Sequence, residues 1–248
     1  MPEDAKIPDE AFCSECMYLL PDYPDIRSRL AARGFSHERM DMAWCRCAQR
    51  AEAARIEDAQ RVHEANFPRA DGLRVFETFE SREGTERAVG AARTFAGNKL
   101  TPGLVLIGGT GSGKTHLLEA IGRVTLSNGG TVRYEMVKDL LERLRATNAY
   151  ESGEETHEVL SYYQGVGVLL LDDLGVERGN PYAVEQVTAM VDYRYRHGLA
   201  FVVATNKTKD QVAEHMGDRL SDRLWDDRSG RVTQVYLTAE SYRTEGAG

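Results

Sequence analysis

Between Gly108 and His116 the chain reads GGTGSGKTH, with glycines at 108, 109, 111 and 113 leading into Lys114 and Thr115. Glycines let successive backbone N–H groups turn toward one anion, because no Cβ blocks the approach. Lys114 adds a full positive charge within reach of a polyphosphate, and the Thr115 hydroxyl is a hard oxygen ligand suited to magnesium. Gly108, Gly113, Lys114 and Thr115 stand at the fixed positions of GxxxxGK[ST], the phosphate-binding loop, or P-loop. The whole run Gly108, Gly109, Thr110, Gly111, Ser112, Gly113, Lys114, Thr115 and His116 is therefore the candidate contact surface for ATP.

Such a loop needs an acid across from it. The run VGVLLLDDLG ends its apolar stretch in Asp172 and Asp173. Asp172 is placed to hold magnesium, directly or through water, and Asp173 to polarise the attacking water. The same pair would serve equally to cap the next turn if no nucleotide were bound. Further on, LAFVVAT delivers Asn206 to the end of another apolar run, a position where asparagine also simply forms turns. In GDRLSDRLWDD, Arg219 and Arg223 fall four residues apart, on one face of a helix, with Asp218 and Asp222 beside them.

A second chemistry sits near the other end. Cys13 and Cys16 form one close pair and Cys45 and Cys47 another, and the chain has no other cysteine. Two converging pairs supply the tetrahedral thiolates that structural zinc takes, with His37 between them as an alternative ligand. Four reduced, partly buried thiols in a helical domain is the plain alternative.

The elements that must position these residues follow from the patterning. GLVLIG (103–108) predicts a buried strand, and Lys114 to about Leu126 a helix with Leu117, Ile121 and Val124 inward. Strands are predicted over 131–137, 166–171 and 199–205, and a helix from Pro181 to His197. Residues 45–66, rich in Ala, Arg, Glu and Gln, predict a long polar helix. Pro68, Asp71 and Gly72 then mark a linker, and ESGEETHE at 151–158 a solvated loop. The reading is an N-terminal cysteine domain over 1–66 and an α/β P-loop domain over 67–248.

Bulk composition narrows the classes. A net charge of −8 argues against a broad basic surface for non-specific duplex binding, though not against a local basic stripe. The longest apolar runs are too short to span a membrane, and the acidic, polar start is no secretory signal. The expectation is a cytoplasmic protein with no membrane partner, whose thiols stay reduced.

A strand inserted between the P-loop strand and the acidic strand, and a polar residue ending the next one, mark the additional-strand P-loop class, which includes the AAA+ ATPases. Taken in order, VFETFES, GLVLIGGTGSGKTHLLEAIG, VLLLDDLG, VVATN, GDRLSDRLW and ESYR resemble the DnaC/DnaI helicase loaders and the IstB transposition ATPases. The resemblance covers about residues 70–243, and CRC with its Arg/Ala-rich helix resembles the zinc-bearing portion of DnaI-type and phage loaders. It implies an AAA+ domain with a parallel five-stranded sheet between helices, beside a small zinc-binding helical domain. It also implies a nucleotide loop from Gly108 to Thr115, an acidic pair in Asp172 and Asp173, and a sensor 1 role for Asn206. Arg219 resembles the finger that reaches a neighbouring subunit's ATP, with Arg223 as its competitor, and Arg243 a sensor-2-like arginine. The implied function is loading of a replicative DNA helicase by an ATP-hydrolysing homo-oligomer. The helicase would be gripped by the N-terminal domain, with single-stranded DNA engaged by the core. The alternatives are a transposition ATPase assembling on duplex DNA and a small-molecule kinase. A kinase would need an acceptor lid with clustered arginines, which is not evident here.

Overall fold

A computed structural model of the protein describes residues 47–68, 72–98, 101–147, 156–175, 181–226 and 228–242. Contacts divide the chain into two units, Met1–Gln60 and Arg61–Gly248. Cys13, Cys16, His37 and Cys45 lie outside the described residues, as does Arg243, so the zinc and sensor-2 expectations fall there. Cys47 opens helix α1 (Cys47–Glu64). In the first unit, the described side chains of α1 up to Gln60 are exposed, as the polar composition of this segment predicts.

The second unit is built on alternation. Strands β1 (Gly103–Gly108), β2 (Val132–Met136), β3 (Val168–Asp172), β4 (Ala200–Thr205) and β5 (Val232–Leu237) form one sheet in the order β2-β3-β4-β1-β5. Every neighbouring pair is parallel. Successive strand residues point to opposite faces, and both faces are apolar here. Leu104, Leu106, Val168, Leu170, Val202 and Ala204 enter one core. That core is completed by helices α2 (Glu86–Asn98) and α3 (Lys114–Ser127) and by the 3-10 turn Phe76–Thr78. Val105, Ile107, Leu169, Leu171, Phe201 and Val203 enter the other. It is covered by α4 (Val137–Thr147), α5 (Thr156–Gly165), α6 (Pro181–His197), α7 (Lys209–Met216) and α8 (Asp218–Leu224). Full burial of each such Leu, Val or Phe contributes roughly 1.5–3 kcal/mol, so the sheet is a rigid platform for whatever its carboxyl ends carry.

The five-stranded parallel sheet is the one expected, and the structure supplies its spatial order. The strand between the P-loop strand and the acidic strand is β4, and β2 lies at the edge. Chain order does not set sheet order when helical crossovers join parallel strands. Leu117 and Ile121 are fully buried as predicted, whereas Val124 is only partly so. The segment expected as a loop at 151–158 is helical from Thr156, where α5 begins, and its earlier residues lie outside those described. Before the expected linker, Ala65 is fully buried and its carbonyl accepts a hydrogen bond from the Tyr134 amide at 2.8 Å. The Asn66 side chain donates to the Tyr134 carbonyl at 3.2 Å, so the chain is tied to β2 before Pro68 is reached.

A buried cation locks the far end of the sheet. Arg194 on α6 is fully buried, and burial lowers its guanidinium to about 10, which still leaves it charged at neutral pH. It donates to the carbonyls of Tyr163, Gln164, Val166, Gly167 and Ala200 at 2.6–3.3 Å. One side chain thus satisfies the C-terminal carbonyls of α5 and joins them to the start of β4. Among the described residues, no helix is long and apolar enough to cross a membrane.

Candidate nucleotide site

The P-loop leaves β1 at Gly108 and enters α3 at Lys114. Gly113 caps the helix at φ 99°, a left-handed backbone that residues with side chains rarely adopt, and a Cβ there would meet the Phe79 ring at 2.8 Å. No side chain caps α3, so its first amides and its positive dipole end are presented to an anion. Ser112 Oγ is buried beneath the loop and makes no hydrogen bond. Lys114, 6% exposed, folds onto its own loop and donates to the carbonyls of Gly108 and Gly109, both at 2.8 Å. Burial lowers its ammonium from the ordinary lysine value, and the charges of Asp172 and Asp173 oppose that shift.

Beside the loop, β3 ends in Asp172, which is buried. Its Oδ2 accepts from the Thr115 hydroxyl at 2.6 Å and from the Tyr134 hydroxyl at 2.8 Å, and its Oδ1 accepts from the Asp173 amide at 2.9 Å. Burial and the charge of Asp172 hold the Tyr134 phenol far above its usual range, so it donates as a neutral hydroxyl. In a continuing strand, adjacent residues would face opposite ways. Asp173 instead adopts φ 56°, a left-handed turn that brings both acids to the same cleft. Thr205 fixes the neighbouring strand end: its hydroxyl donates to the Leu174 carbonyl at 2.7 Å, and Asn206 follows into the cleft.

The resulting cleft holds about 720 Å³. Thr110, Gly111, Gly113, Lys114, Thr115, His116, Asp172, Asp173 and Asn206 line it, so most of the predicted loop, both acids and the asparagine converge there, whereas Gly108, Gly109 and Ser112 do not line it. Phe79, Tyr134 and Tyr242 are also part of its wall. Tyr242 closes the loop side, its amide bonded to the Gly111 carbonyl at 3.1 Å and its ring 3.3 Å from the Arg82 guanidinium. The residues fit magnesium–ATP: bare amides, a lysine, and a hydroxyl–carboxylate pair of hard oxygens. Thr115 and Asp172 would hold the ion, which would neutralise phosphate charge there. Tyr134 was not foreseen from sequence, since a tyrosine inside an apolar strand reads as core. Its place one strand over from Asp172 is a property of the register, in which Met136 pairs with Asp172.

Arg219 and Arg223 do not join this cleft. Both sit on α8 and bind the buried carboxylate of Asp192 on α6, Arg219 at 2.8 Å and Arg223 at 2.7 Å. The predicted proximity to Asp218 and Asp222 is not what holds them. Among the described residues, no cluster of three or more His, Cys, Asp or Glu side chains forms a metal site.

Residues 36–247 match the family described as IstB-like ATP binding protein. The chain belongs to this family. It is also 28% identical over 170 residues to the replicative helicase loader DnaC of Escherichia coli K12, a match covering 67% of each chain. The crystal structure of the DnaC helicase loader has a similar fold, with a TM-score of 0.56 at 23% identity over 67% of this chain and 96% of that one. The replication initiator DnaA bound to AMPPCP and single-stranded DNA is similar at a TM-score of 0.57 and 23% identity. That match covers 65% of this chain and 49% of the other, so the family member described here spans about half of the initiator. The fold is that of an AAA+ domain, and the resemblance to DnaC-type loaders and IstB ATPases holds.

Proposed function

We propose that the protein is an ATP-hydrolysing loader of a replicative DNA helicase, working as a homo-oligomer. The observation carrying the ATPase part is the Thr115 hydroxyl set 2.6 Å from Asp172 at the mouth of an uncapped P-loop helix. In this reading Lys114 exchanges its two loop carbonyls for phosphate oxygens. Asp173 orients a water whose oxygen attacks the terminal phosphorus, and the bond to the bridging oxygen breaks to release ADP. Asn206 holds that water or the terminal phosphate from β4. Arg219, or Arg223 one turn away, comes from a neighbouring copy to offset the charge that develops. Likeness to DnaC over two thirds of both chains supports the loader part.

The N-terminal unit is the proposed grip on the helicase, with Cys13, Cys16, Cys45 and Cys47 binding one zinc, or His37 in place of one thiolate. Metal analysis of protein purified without added zinc should find one equivalent; four freely titrating thiols in folded protein would refute it. A second reading is an ATPase of transposition that assembles on duplex DNA, the other function that the sequence resemblance implies; the family match, described as IstB-like and ATP binding, is compatible with it. Pull-downs with a replicative helicase and with a transposase separate the two, alongside single- and double-strand binding at one fixed salt. Helicase capture and ATP-dependent single-strand binding support loading. Duplex-templated assembly without helicase contact overturns it and leaves the ATPase reading standing.

A further inference from the structure

Asp192 lies in the middle of α6, 1% exposed, yet it carries three arginines. Arg196 Nε reaches one carboxylate oxygen at 2.9 Å, Arg219 Nη2 the same oxygen at 2.8 Å, and Arg223 Nε the other at 2.7 Å. The Arg223 guanidinium also lies 5.0 Å from the Tyr195 ring centre, which restrains it further. A carboxylate inside a domain needs one guanidinium to be neutralised. Three exceed that need, and with the charge of Asp226 also acting on Arg223 the group still keeps a net positive charge.

That surplus faces outward. The Arg196 and Arg219 side chains are 58% and 63% exposed, while Arg223 is 36% exposed. Asp222, on the same helix as Arg219 and Arg223, is engaged by Lys209 at 3.2 Å. None of the three arginines lines the cleft at Lys114, and Arg219 instead borders a groove with Pro181, Thr188 and Met216. The cluster therefore does not serve this chain's own P-loop. An arginine holding three long-lived partners would be spent, but each of these places one nitrogen of its guanidinium against Asp192. The rest of each planar fork keeps a fixed direction and free donors for an anion outside.

We propose that Asp192 is the positioning residue for an arginine trident, Arg196, Arg219 and Arg223, which engages the triphosphate bound by a second copy of this chain. The proposal rests on the reading that an arginine of α8 acts on a neighbour's ATP, and adds what holds it there and that Arg196 belongs to the set. A long arginine side chain searching freely would lose rotamer entropy at each encounter. One pinned through a buried carboxylate has lost it already. Pairing Arg219 with Asp218 or Asp222 would impose no such constraint, because those acids are exposed on the same helix.

The test uses the full chain. Asp192→Asn keeps the shape of the site and removes the charge. It should bind ATP within about twofold of wild type in a fluorescent-nucleotide titration and turn it over about a hundredfold more slowly, the scale of a small misplacement. Mixed with Asp173→Asn, whose trident is intact and whose hydrolytic site is not, it should recover activity. A merely structural lesion would damage its own P-loop and would not be rescued. Wild-type turnover by Asp192→Asn, or lost ATP binding with no recovery in mixtures, overturns the proposal. So does retained turnover with lost single-stranded DNA binding, which would assign the trident to a nucleic-acid backbone. If Asp192→Asn does not fold, Asp192→Glu carries the same test: it keeps the charge and displaces the forks by one methylene. Turnover about tenfold lower supports the proposal, and full turnover refutes it. Unchanged turnover in Arg219→Ala and Arg223→Ala would refute the underlying trans reading, a result distinct from failure of the Asp192 claim alone.

Discussion

Two cationic regions of one domain are held in opposite ways. At the P-loop, Lys114 is buried and rests on the carbonyls of Gly108 and Gly109, groups of its own loop. At the arginine cluster, Arg219 and Arg223 are anchored 27 and 31 residues away on the carboxylate of Asp192. A lysine on neutral carbonyls is released readily, because an incoming phosphate offers stronger, charged acceptors. Guanidiniums on a buried carboxylate are not released, because freeing them would strand the charge of Asp192. Under the proposed function, the first region changes partners when nucleotide arrives, and the second stays in place for a group that comes to it.

Substitutions can break this contrast, the largest effect first. Lys114→Ala should abolish magnesium-dependent ATP binding while the protein stays folded, as read by nucleotide titration beside circular dichroism. Unchanged affinity would show that the loop holds something else. Next, Arg219→Ala should leave ATP binding nearly intact and lower turnover by about a thousandfold, recovering in mixtures with Asp173→Asn. The same loss in Arg223→Ala alone would move the role one turn along α8.

Arg194 sharpens the comparison, being a cation held on carbonyls like Lys114 yet sealed from any ligand. Arg194→Met should strand several buried carbonyls and cost about 4 kcal/mol in chemical denaturation, without a specific effect on nucleotide affinity beyond the loss of folded protein. Tyr134→Phe removes only the hydroxyl on Asp172. Apparent magnesium affinity in ATP binding should fall about tenfold with the melting temperature little changed. No change would mean that Thr115 and the Asp173 amide suffice to orient the acid.

The nucleotide site was legible because its parts are local. Gly108 to Thr115 form one continuous loop, and Asp172 ends a strand whose apolar run announces it. The left-handed turn at Asp173 was not legible, since an acid after a strand reads the same in either conformation. Tyr134 was missed because its partner is 38 residues away and is reached only through strand register. Asp192 looked like one more polar residue in a helix of mixed character.

The sequence by itself determined the α/β class, the P-loop, the acids opposite it and the strands that carry them. These depend on periodicity and on spacing within single segments, which are written along the chain. Only the tertiary structure decided that β4 inserts between β1 and β3, that Tyr134 reaches Asp172, and that Arg194 clamps α5 to the sheet. It alone decided that Asp192 gathers three arginines. Each of these joins groups brought together by packing, and a buried charge finds its partner by proximity in space, where distance along the chain carries no information.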